Sequence, residues 1–76
     1  MRWNTEKDPL DYGFEEKEDK TFVWYDSLGS SRITINKDTT IDVLIISLNI
    51  TANVSHETLT KLYNLIKEGV IVNESI

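Results

Sequence analysis

Residues 21–36, TFVWYDSLGSSRITIN, constrain the fold more than any other stretch, because two β-favouring runs flank a short turn. Gly29, in the SLGS connection, supplies the positive φ that a four-residue hairpin loop commonly needs. In the second run Ile33 and Ile35 alternate with Arg32, Thr34 and Asn36, giving one apolar and one polar face. The first run does not alternate. Phe22 and Trp24 share one face, while Val23 and Tyr25, also large and apolar, occupy the other. A strand apolar on both sides needs cover on both.

The run IDVLIISLN, residues 41–49, carries two competing periods. Ile41, Leu44, Ile45 and Leu48 match helical spacing, with Asp38 or Thr39 as a cap. Against that, Ile41, Val43, Ile45 and Ile46 are β-branched, and Val43–Ile46 is apolar on both faces. Strand is the preferred reading. Residues 55–68 predict a helix with Ser55 as N-cap and Glu57 in the first turn. Leu59, Leu62, Tyr63 and Ile66 would form its apolar stripe, Lys67 its last turn and Gly69 its C′ residue. Residues 70–72, VIV, either add a strand parallel to 41–49 through a right-handed crossover or pack against the helix end. The expected fold is α+β: a three-stranded antiparallel meander on one C-terminal helix, with a short fourth strand as an option.

Residues 1–20 read as an irregular acidic and aromatic arm, and 21–76 as a single small domain. Pro9 and Gly13 oppose a regular helix across 9–13, and the arm carries seven acids against four bases. Its Trp3, Leu10, Tyr12 and Phe14 are the large apolar residues left to cover Val23 and Tyr25. Either the arm folds back over that face, or the face waits for a partner. With no cysteine in 76 residues there is neither a disulfide nor a thiolate metal site. No apolar run reaches the roughly 18–20 residues of a membrane span, and MRWNTEKDPL lacks a signal-peptide core, so a cytoplasmic protein is expected.

No catalytic, cofactor or metal motif can be assembled. The single histidine, His56, reads as a polar residue beside a helix start, without a nucleophile or carboxylate arranged around it. The acids Glu15, Glu16, Glu18 and Asp19 lack the spacing and glycine of a calcium loop. A net charge of −5 disfavours nucleic acid and favours a protein partner with a basic surface. The expectation is a non-enzymatic, protein-binding regulator or inhibitor, a class that phages and mobile elements often supply. The candidate contact residues are Trp3, Tyr12, Phe14, Glu15, Glu16, Glu18, Asp19, Val23 and Tyr25. A homodimer through open edges at 21–26 or 70–72 is a further option.

Read with the helical option for 41–49, residues 48–72 resemble a helix-turn-helix followed by the turn into a wing. Leu48, Ile50, Val54, Leu59 and Leu62 would then be its packing positions. That resemblance implies a DNA-binding regulator whose second helix offers His56, Thr60, Lys61, Asn64 and Lys67. Glu57 and Glu68 on the same helix weaken the footprint.

Overall fold

The computed structural model describes residues 1–45 and 52–72. In chain order the elements are β1 (Arg2–Trp3), a 3-10 turn (Pro9–Tyr12), β2 (Glu15–Glu16), β3 (Phe22–Tyr25) and β4 (Ser31–Ile35). They continue with β5 (Ile41–Ile45), α1 (Ala52–Lys67) and β6 (Ile71–Val72). The main sheet is an antiparallel meander of four strands in the order β2-β3-β4-β5, and β1 pairs with β6 in a second sheet of two strands. The fold is therefore α+β, as expected, with one strand more in the meander. The extra strand, β2, comes from the arm: Glu15 pairs with Val23 and Glu16 with Phe22.

Residues 41–45 are a strand, which settles the two periods there in favour of β-branching; residues 46–49 lie outside the described residues. The first helix of the helix-turn-helix reading is accordingly missing over 41–45. The fourth strand expected at 70–72 forms as Ile71–Val72, but its partner is β1, antiparallel, and not β5. The helix end explains the geometry. Gly69, at φ +76, donates its N–H to Ile66 O, and Val70 N–H bonds Leu65 O, the paired bonds of a glycine-capped helix terminus. That cap turns the chain back so that Val70 and Ile71 enter the core beside Leu65 and Trp3.

Two corrections concern the helix. It spans Ala52–Lys67, so Ser55 lies inside it and is not its N-cap. Its inward face is also rotated from the expected stripe. Leu65 and Thr58 are buried and Leu62 half-buried, whereas Leu59, Tyr63 and Ile66 are 62%, 64% and 43% exposed.

The connections β2–β3 and β4–β5 repeat one device. In each, an Asp carboxylate accepts from the backbone N–H and the hydroxyl of a Thr two residues on: Asp19 from Thr21, Asp38 from Thr40. The residue between them takes a left-handed conformation, Lys20 at φ 71 and Thr39 at φ 71. These hydrogen bonds from Thr hold both carboxyls below their usual range.

Because each carboxyl's folded pKa is depressed below 3.8, the stabilisation is fully present above that value and is lost as pH falls through the lowered one. The urea midpoint should therefore drop as pH falls below 3.8, and Thr40→Val should flatten that drop. Lys20→Gly should raise stability by about 1 kcal/mol in the same urea titration, because glycine adopts a left-handed conformation without the Cβ clash.

Candidate functional site

Strand alternation divides the main sheet into two faces. Phe22, Trp24, Ile33, Ile35 and Ile41 lie on one, and α1 packs over it. The arm joins this same side. Trp3 and Phe14 are buried there at 5% and 3% exposure, with ring centroids 5.2 Å apart, and Tyr12 meets Trp3 edge-on at 5.8 Å. Of the two options for Val23 and Tyr25, cover by the arm's aromatics is the one corrected: Trp3, Tyr12 and Phe14 complete the helix-side core. The physical reason is that one helix over β4 leaves the β3 flank of that face open, and Trp3, Tyr12 and Phe14 fill it.

Lys61 fixes the arm in place. Its ammonium donates to Tyr12 O at 2.6 Å and sits 5.6 Å from the Trp24 ring centroid and 5.9 Å from that of Phe14. Burial lowers its pKa, and the charge of Glu68 opposes that shift. The helix-turn-helix reading offered Lys61 to a nucleic acid, but here it is turned inward and engaged.

A polar seam sets the helix rotation. Asp26, 4% exposed, accepts from the N–H of Ser30 at 2.7 Å and of Ser31 at 3.3 Å, and from the Ser31 hydroxyl at 3.2 Å. With its proton committed to Asp26, the Ser31 hydroxyl accepts from that of Thr58. One residue earlier in the helix, Glu57 accepts from the N–H and the hydroxyl of Ser27. Thr58 must therefore face the sheet. Helical spacing then carries Lys61, Leu62 and Leu65 inward and leaves Leu59, Tyr63 and Ile66 outside.

Among the described residues the opposite sheet face bears no helix, and of the arm it carries Glu15, Lys17 and Asp19 but none of the aromatics. Its central rows run Glu15–Val23–Thr34–Asp42 and Tyr25–Arg32–Leu44 across the strands. Val23 is buried, whereas Tyr25 and Leu44, flanking Arg32, are 42% and 46% exposed. Lys17 lies 5.8 Å above the Tyr25 ring and pairs with Glu15 at 3.5 Å. The Nε of Arg32 is buried and has no hydrogen-bond partner among the described residues. Glu15, Glu16, Glu18 and Asp19 are all exposed, along β2 and the turn that follows it.

The structure thus brings Glu15, Asp19, Val23 and Tyr25 to one side of the sheet and assigns Trp3, Tyr12 and Phe14 to the core. Sequence reasoning missed Arg32 and Leu44 as neighbours of Tyr25. Their alternation within 31–36 and 41–45 was the available signal, once the strand pairing was known. His56 is exposed, and no group of three or more His, Asp or Glu among the described residues is placed to share a metal ion. No helix among the described residues is long and apolar enough to cross a membrane. Comparison with family models, curated proteins and solved structures gives no match to the chain.

Proposed function

We propose that the chain is a small protein-binding module, a regulator or inhibitor and not an enzyme, that docks through its helix-free sheet face. The observation that carries this reading is the row Tyr25–Arg32–Leu44: two exposed apolar side chains flank a guanidinium whose Nε has no partner among the described residues. Tyr and Arg are the side chains most often found as interface anchors, since each buries a large area and keeps a polar handle. The acids along β2 flank this face, and the net charge of −5 suits a partner with a basic surface.

The test compares the parent with Tyr25→Ser and Leu44→Ser, each immobilised and offered extract from the source cells. A specific protein retained by the parent and lost from both variants, at unchanged melting temperature, supports the reading. Retention that ignores both substitutions overturns it. So does binding of duplex DNA at physiological salt with a steep salt dependence, which would favour the DNA-binding alternative.

A further inference from the structure

The two edges of the main sheet differ. β2 has only two residues, both Glu, and the acids Glu18 and Asp19 follow it. Short, charged edges of this kind resist pairing with another chain. β5 has five residues, Ile41, Asp42, Val43, Leu44 and Ile45, of which only one is charged. Of the edges first expected to be open, Phe22 and Val23 of β3 pair with β2, and β6 pairs with β1 along one side.

The outward groups of β5 can be identified. Ile41 donates its N–H to Met1 O at 3.2 Å on the outer side, so Val43 and Ile45 turn their N–H and C=O the same way. Asp42 and Leu44 turn theirs toward Thr34 and Arg32 of β4. No outer-edge backbone hydrogen bond engages Val43 among the described residues.

The same edge is apolar on its helix side. Val43 stands opposite the fully buried Ile33, yet it is 41% exposed, so α1 does not cover it. Glu57 and Lys61 reach toward β3, through Ser27 and Trp24, which fixes the opposite flank of α1 on the β5 side. Helical spacing places Ile66, Leu59 and Tyr63 on that flank. Val43 and this stripe thus lie on one side of α1, beside the outer edge of β5 beyond Ile41.

We propose that a second copy of this chain pairs antiparallel with β5, joining two four-stranded sheets into one of eight strands. Centring the two-fold axis on Leu44 pairs Val43 with Ile45 of the second copy, and Met1, bonded to Ile41 on the same outer side, bounds the paired stretch at 43–45. The outward N–H and C=O groups then meet in hydrogen-bonded pairs, and the two Leu44 side chains meet in a close, non-hydrogen-bonded pair. The axis is perpendicular to the sheet, so both helices lie on one face with their exposed stripes turned toward each other over Val43. The acids of β2 lie on the far edges of the joined sheet, where repulsion between copies is smallest. This dimer does not rest on the partner-binding reading.

The experiment uses the absence of cysteine from the chain. Leu44→Cys puts two thiols at the two-fold axis with Cα atoms about 4.5 Å apart, within disulfide range. Mild oxidation should convert most of this variant to covalent dimer, while Leu28→Cys, at the 70% exposed hairpin tip, should stay largely monomeric. In sedimentation equilibrium the parent should dimerise more tightly as salt rises, and Val43→Lys should weaken dimerisation by at least about tenfold. A parent that remains monomeric at the highest soluble concentration overturns the proposal. Equal cross-linking of both cysteine variants, or a Val43→Lys dimer as tight as the parent's, also overturns it.

Discussion

Trp3→Ala is expected to destabilise the protein by about 3–5 kcal/mol, the usual cost of truncating a large buried aromatic. The indole is 5% exposed, contacts the rings of Tyr12 and Phe14, and donates from Nε1 to Lys7 O at 2.8 Å. Its backbone is tied as well: Trp3 N–H bonds Thr39 O at 2.8 Å, and Trp3 pairs with Ile71. For a chain of 76 residues, total stability is on the order of 4–11 kcal/mol, so this one truncation removes a large part of it. Urea unfolding followed by far-UV circular dichroism measures the loss. A residue in a loosely attached arm would cost well under about 1 kcal/mol, which separates the two pictures.

The second large effect is expected at Asp26. Removing its carboxylate by Asp26→Ala strips partners from two backbone N–H groups and from the buried Ser31 hydroxyl. Hydrogen bonds to a charged acceptor contribute about 1.5–3 kcal/mol each and are not additive, so a total loss of about 3 kcal/mol is expected. Asp26→Asn keeps an oxygen for the two N–H groups and should cost clearly less. The seam also determines which helix face is inward, through Ser31 and Thr58. Asp26→Ala should therefore broaden the amide resonances of the first half of α1 more than those of β3. A loss of stability without that local effect would mean that helix rotation is set by apolar packing alone.

The hairpin at 21–36 could be read from the sequence because alternation, β-branching and a turn glycine agree there. The strand at 41–45 could be read because the β-branched residues Ile41, Val43, Ile45 and Ile46 outweigh a helical spacing that also fits. The helix itself was visible, but its orientation was not. Leu59, Leu62, Tyr63 and Ile66 make the more hydrophobic stripe, and hydrophobicity alone would bury them. What turns Thr58 and Leu65 inward is a hydrogen-bonded seam between Asp26, Ser31 and Thr58, in which Ser31 and Thr58 stand 27 positions apart. No periodicity reports such a contact.

The arm was hidden for a related reason. Pro9 and Gly13 correctly signalled the loss of regular helix, and Gly13 indeed sits at φ 87 after the 3-10 turn. Irregular backbone does not mean peripheral side chains, and Trp3 and Phe14 are core. At the candidate site, alternation did separate Val23 and Tyr25 from Phe22 and Trp24. Arg32 and Leu44 joined them only through the register of β3, β4 and β5, which a single sequence does not state.

The arm's aromatics complete the helix-side core and leave the Tyr25–Arg32–Leu44 row without an aromatic or helical cover among the described residues. Hydroxyl-radical footprinting of the intact chain, read by mass spectrometry residue by residue, tests this arrangement most directly. Trp3 and Phe14 should label slowly and Tyr25 and Leu44 fast, with Leu44 becoming protected at concentrations where β5 pairs. Fast labelling of Trp3 and Phe14 together with protection of Tyr25 in the dilute chain would contradict it.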